Sequence, residues 1–91
     1  MKYNVAVVGA GYWGTKHINI LNNMSVLNGI VEPNVEVLQP HLKRLPEIRG
    51  HSTLEEGLMY DYDGFVIASP AETHFSIAKK LISLKKHVLI E

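Results

Sequence analysis

Gly9, Gly11 and Gly14 stand in G-x-G-x-x-G spacing directly after an apolar run, Val5 to Val8. Three glycines so placed have separate physical uses. Gly9 permits a tight turn out of a strand. Gly11, lacking a Cβ, lets a pyrophosphate approach the backbone closely. Gly14 lets the following helix pack tightly on the strand. The free N–H groups and positive dipole end of that helix then hold phosphate charge. A second apolar run, Val26 to Val31, ends in Glu32, 18 positions after Gly14. An acid roughly 20 positions past the glycines is where a dinucleotide's ribose hydroxyls find their acceptor. Glycines also cluster in ordinary turns and in methyltransferase loops, and there Glu32 is only a solvated strand-end carboxylate. The strand before, the helix behind and the answering acid together favour a dinucleotide. A carboxylate at position 32 repels a 2′-phosphate, and neither Pro33 nor Asn34 is cationic, so NAD is expected in preference to NADP.

Other reactive side chains form no familiar constellation. His17, His41, His51 and His87 have no metal-ligand spacing with each other or with carboxylates, and are read as surface or packed residues. No Ser/His/Asp arrangement or paired-carboxylate site can be assembled. That agrees with hydride chemistry, in which a cofactor performs the hard step. Thr73 and His74 open a helix; they are either a helix-start threonine with a packed histidine or contacts to the reactive half of a cofactor. The Trp13 side chain is expected to be anchored by packing, with its backbone N–H facing phosphate.

These residues need strand ends to position them. Tyr3 to Val8 reads as a first strand whose continuous apolar character suits a parallel sheet covered on both faces. A helix follows from Tyr12 to Asn23, with Gly14, Ile18 and Leu21 on one stripe. The second strand is Val26 to Val31, weakened inside by Gly29. Val35, Leu38, Leu42 and Leu45 keep helical spacing, and Pro40 within them predicts a kink or a shortened helix. Pro46 to His51 reads as a weak edge strand, and Ser52 or Thr53 as the cap of a brief helix with Glu55 and Glu56 in its first turn. Tyr60 to Gly64 reads as connection. Phe65 to Ala68 is a buried strand, Glu72 to Leu84 a helix with His74, Ile77, Ala78, Leu81 and Ile82 inward, and His87 to Glu91 a fifth apolar run. The alternation predicts an α/β fold: a Rossmann-type doubly wound parallel sheet of about five strands in order 3-2-1-4-5, three layers α/β/α.

The 91 residues allow one small domain, residues 1–91. Composition is that of a globular protein, 46% hydrophobic and 20% charged, with zero formal net charge. No basic patch points to nucleic acid or to an anionic membrane. The absence of cysteine excludes disulfides, thiolate metal sites and a cysteine nucleophile. No secretory h-region or membrane-length apolar run is present, and the cytoplasm is the expected compartment.

Three stretches carry a family resemblance: Val5 through Gly14, then Ala68-Ser69-Pro70-Ala71-Glu72-Thr73-His74, then Lys86-His87-Val88-Leu89-Ile90-Glu91. Together they resemble the N-terminal domain of the glucose–fructose oxidoreductase / inositol dehydrogenase / MocA family, whose signature reads as a glycine fingerprint, a strand-end A-T-P-x-x-T-H and a G-K-H-V-L-x-E-K-P. The resemblance implies nicotinamide-dependent oxidation or reduction of a carbinol carbon on a sugar, cyclitol or nucleotide-linked sugar. It places Gly9, Gly11, Tyr12, Trp13 and Gly14 around the pyrophosphate and Glu32 on the adenosine ribose. Ser69, Pro70, Thr73 and His74 line the cofactor, and Glu91 lies near the nicotinamide ribose. The sequence departs from the pattern at Lys85, which replaces a glycine, and at Glu91, after which the family's Lys-Pro and substrate domain do not follow. The expectation is a cofactor domain that is inactive alone, the sugar-like substrate binding only with the further domain. The alternative is a non-catalytic NAD-binding regulatory or redox-sensing module. An open apolar edge at the last strand would favour a homo-oligomer.

Overall fold

A computed structural model describes residues 3–91; Met1 and Lys2, expected to lead straight into the first strand, lie outside the described residues. Five strands alternate with four helices: β1 Val5–Val8, α1 Tyr12–Asn23, β2 Leu27–Val31, α2 Val35–Arg44, β3 Arg49–His51, α3 Leu54–Leu58, β4 Gly64–Ile67, α4 His74–Ser83 and β5 His87–Ile90. A single 3-10 turn, Ala71–Thr73, precedes α4. All pairings are parallel and the order is β3-β2-β1-β4-β5, as the alternation predicts.

The three central strands, β1, β2 and β4, bury both faces, which is why their runs are largely apolar rather than alternating, whereas the edge strands β3 and β5 are mostly exposed. Ala6, Val8, Phe65 and Ile67 face Ala78 and Leu81 of α4, with Leu54 and Leu58 of α3 packed alongside. Val7, Ile30 and Val66 face Ile18 of α1 and Leu38 of α2. The result is three layers, α/β/α.

Several expectations change. Strand pairing begins at Val5 rather than Tyr3, and α2 runs unbroken through Pro40. Pro40 and Glu36 are both exposed, so water can satisfy the Glu36 carbonyl left without its intrahelical donor. Leu38 and His41, buried on the other side, hold the helix to the sheet. Ile82, expected inward, is 63% exposed. Tyr60 to Gly64 is more than connection. Tyr62 is a core residue, packed edge-on against Phe65 and hydrogen-bonded through its hydroxyl to His51 Nε2 at 2.8 Å. Gly29, read as a weak point of β2, is where that hydroxyl sits; a Cβ there would overlap the Tyr62 ring.

Two helices end in the same way. After α1, Ser25 has φ 61° and its N–H bonds to the Asn22 carbonyl, while Val26 N–H returns to Leu21. After α4, Lys85 has φ 60°, bonds to Ile82, and Lys86 N–H returns to Leu81. Both are Schellman caps with a non-glycine residue in the left-handed position. Lys85, where the resembled pattern has a glycine, thus sits in a conformation that glycine adopts without strain.

Candidate functional site: the cleft at the strand ends

The register sets the site. Val8 lies level with Val31 and Ile67, Val31 with His51, and Ile67 with Ile90. All five strands thus finish on one edge of the sheet. The ladder extends one residue further: Gly9 N–H donates to Val31, Glu32 N–H to His51, Ala68 N–H to Val8 and Glu91 N–H to Ile67. Beyond that edge lies a cleft of about 1110 Å³, the place where open parallel sheets take ligands.

The glycines divide the work. Gly9 has φ +98°, and a Cβ there would come within 2.6 Å of the Ser69 amide nitrogen, so the turn and the β4 end approach as closely as backbone allows. Gly14 is buried beneath the turn, where a Cβ would overlap the Gly9 carbonyl. Gly11 is the reverse case: nothing lies near its missing Cβ. It is also the N-cap of α1 and offers no side-chain acceptor, so the leading amides of the helix are left to a ligand or water.

Glu32 faces the glycine turn. Its Oε1 accepts from the Ala10 amide at 2.8 Å and its Oε2 from the Asn34 amide at 3.1 Å. Asn34 in turn caps α2 by accepting from Glu36 N–H at 3.0 Å. Thr53 caps α3 by accepting from the Glu56 amide at 3.2 Å, and the Glu56 carboxylate reaches back to Ser52. Val37 and Leu54 supply apolar wall on this side.

Past β4, Thr73 donates its hydroxyl proton to the Pro70 carbonyl at 2.7 Å, so the Ser69 hydroxyl is the donor in its 2.7 Å bond to Thr73 Oγ1. Thr73 does not cap α4; its hydroxyl is used locally. The His74 Nε2 lies 2.6 Å from the Ser69 carbonyl. A carbonyl only accepts, so Nε2 carries the proton and a neutral ring keeps its Nδ1 lone pair for another donor. Glu91 borders the cleft from the β5 end and is hydrogen-bonded to His17 of α1. Trp13, expected to be anchored by packing, is 53% exposed at the rim. It stands edge-on to Tyr12, and the Lys16 ammonium lies over both rings.

Every site residue expected from sequence borders this cleft except Gly14, which acts from behind the turn. His41, read from sequence only as a surface or packed histidine, has a contact at the turn that was not foreseen. It is buried on α2, and its Nε2 contacts the Ala10 carbonyl, 31 residues away. No sequence pattern links positions so far apart. The apolar walls were partly legible, since Val37 and Leu54 sit in the first turns of helices that begin at strand ends. Among the described residues no group of three or more His, Asp or Glu side chains is placed to hold a metal ion. No helix among them is long and apolar enough to cross a membrane.

Residues 3–91 match the family model of the oxidoreductase family with an NAD-binding Rossmann fold, GFO_IDH_MocA. The chain belongs to that family. Solved structures agree. GenD2 from gentamicin A biosynthesis, in complex with NAD, is 32% identical with a TM-score of 0.89, covering 98% of this chain and 26% of its own. The WlbA dehydrogenase from Bordetella pertussis, in complex with NADH and UDP-GlcNAcA, is 26% identical at a TM-score of 0.88, over 98% of this chain and 28% of its own. A myo-inositol dehydrogenase from Corynebacterium glutamicum is 25% identical at 0.85, over 99% and 28%. No curated protein matches the sequence. This GFO_IDH_MocA chain is thus an NAD-binding Rossmann domain that spans about a quarter of the length of the solved structures it resembles.

Proposed function

We propose that this domain is the cofactor-binding part of an oxidoreductase that moves hydride between nicotinamide and a carbinol carbon of a sugar, cyclitol or nucleotide-linked sugar. The open space before Gly11, facing a Glu32 carboxylate tied to the same turn, is the observation that carries the reading. A pyrophosphate fits there because backbone amides are free and no Cβ intervenes. Gly9 and Gly14 shape the turn, and the amides of Tyr12 and Trp13 face the anion. Each Glu32 oxygen accepts one backbone amide and retains a second lone pair for an adenosine ribose hydroxyl. Its charge, with uncharged Pro33 and Asn34 beside it, selects NAD over NADP.

Ser69, Pro70, Thr73 and His74 line the nicotinamide half, and Glu91 the nicotinamide ribose. The bound nicotinamide supplies the redox chemistry; the chain's own residues bind it, orient it and exclude water from one face. The chain spans about a quarter of the length of the solved structures it resembles, and on its own it is expected to bind cofactor without turning over sugars. WlbA in complex with UDP-GlcNAcA and the inositol dehydrogenase support the substrate class. The outer edge of β5, where Leu89 and Ile90 are about half exposed, is an apolar strand edge suited to self-association.

Titration calorimetry of the chain with NAD, NADP and S-adenosylmethionine tests the reading. Binding of NAD, weaker binding of NADP and none of S-adenosylmethionine are expected. Preference for S-adenosylmethionine would move the chain to the methyltransferase reading.

A further inference from the structure

The turn between β1 and α1 is held from two sides at one residue. The Ala10 amide donates to Glu32. The Ala10 carbonyl accepts from Thr15 Oγ1 at 3.2 Å and from His41 Nε2 at 3.2 Å. Because a carbonyl cannot donate, the His41 proton sits on Nε2, which also lies 3.3 Å from Thr15 Oγ1. The Nδ1 lone pair then faces Arg44 Nη2 at 3.1 Å, a donor that fixes this tautomer. His41 is about nine-tenths buried, and among the described residues its ring hydrogen bonds run to α1, the turn and Arg44.

In a trans peptide the carbonyl and the following N–H point in opposite directions. Holding the Ala10 carbonyl inward, toward α2, therefore turns the Gly11 N–H outward. Gly11 borders the cleft, and the space its missing Cβ would take is open. A flipped peptide would withdraw that donor and aim a carbonyl oxygen at an incoming phosphate. We propose that His41 is a positioning residue of the phosphate-binding turn: it sets the Ala10–Gly11 peptide so that the Gly11 amide faces the cleft. The identity of the anion rests on the NAD reading above; the peptide orientation does not.

His41→Leu removes the donor at similar volume, and His41→Gln returns an N–H near the position of Nε2. Three measurements on the full chain separate the outcomes: NAD affinity by calorimetry, the melting temperature, and the Gly11 amide resonance in a 15N–1H spectrum without ligand. His41→Leu is expected to weaken NAD binding about tenfold, the effect of one buried hydrogen bond, and to move the Gly11 resonance; His41→Gln restores both. A His41→Leu chain that melts lower yet binds NAD as tightly, with Gly11 unmoved, overturns the proposal and leaves His41 as packing. If the unmodified chain binds no NAD, the cofactor reading fails, and the Gly11 resonance alone decides the positioning role. If His41→Leu does not fold, Arg44→Ala at an exposed position replaces it: a shifted Gly11 resonance is expected, and an unshifted one overturns the proposal.

Discussion

The Glu32 carboxylate accepts the Ala10 amide at 2.8 Å across 22 residues of sequence. This bond joins the end of β2 to the turn after β1. It places the one acid at the cleft's β2 end against the backbone that would cradle phosphate. The same carboxylate therefore has two duties, ordering the turn and presenting an anionic face to a ligand's hydroxyls.

Removing that carboxylate separates the duties. Glu32→Ala is expected to weaken NAD binding by about tenfold or more, as for a hydrogen bond to a charged group, while NADP binding changes less, so the preference narrows. Calorimetry with both cofactors measures this. NAD affinity equal to that of the unmodified chain would take Glu32 out of the site.

Gly11→Ala and Gly14→Ala should fail in different ways. A Cβ at Gly11 meets open space and φ is −75°, so the fold should melt normally while NAD binding weakens. A Cβ at Gly14 overlaps the Gly9 carbonyl; destabilisation of about 2 kcal/mol or more is expected, in the range of overpacked cores. Thermal melts paired with NAD titrations distinguish the two.

Lys85→Gly should stabilise the domain. A left-handed residue with a side chain costs about 1–2 kcal/mol that glycine does not. A gain near 1 kcal/mol corresponds to roughly 4–8 °C in melting temperature for a domain of this size. No rise in a thermal melt would show that the Lys85 side chain offsets the strain by other contacts.

Stability should fall on mild acidification through His51. Its burial beside Tyr62 is the main influence and lowers its pKa from 6.5; Glu56 opposes this and Arg49 adds to it. The fold binds this proton less readily than the unfolded chain does. The contribution is therefore complete above pH 6.5 and declines as pH drops from there toward the lower folded value. His51→Gln, which keeps a partner for the Tyr62 hydroxyl, should flatten the difference in melting temperature between pH 7.5 and 5.5. An equal slope in both chains would assign the effect to other groups.

The β5 edge predicts concentration-dependent self-association, since Leu89 and Ile90 are half exposed on a strand with no outer neighbour among the described residues. Sedimentation velocity across a hundredfold concentration range tests it. A single monomer boundary throughout would rule this edge out as an interface, and Leu89→Lys should shift any association toward monomer.

Sequence alone determined what depends on local burial and backbone freedom. Continuous apolar runs alternating with helical stripes specified a parallel sheet in the observed order. The G-x-G-x-x-G turn and the acid after the next strand located the cleft, because strand ends in such a sheet must meet along one edge. Tertiary structure decided which distant polar groups became partners. Tyr62 fills the space that Gly29 leaves, and His41 holds the Ala10 carbonyl. Trp13 stands at the rim instead of in the core. None of these follows from periodicity, because each hydrogen bond or close contact joins elements whose separation in sequence carries no repeating pattern, and only packing the helices onto the sheet brings the groups within reach.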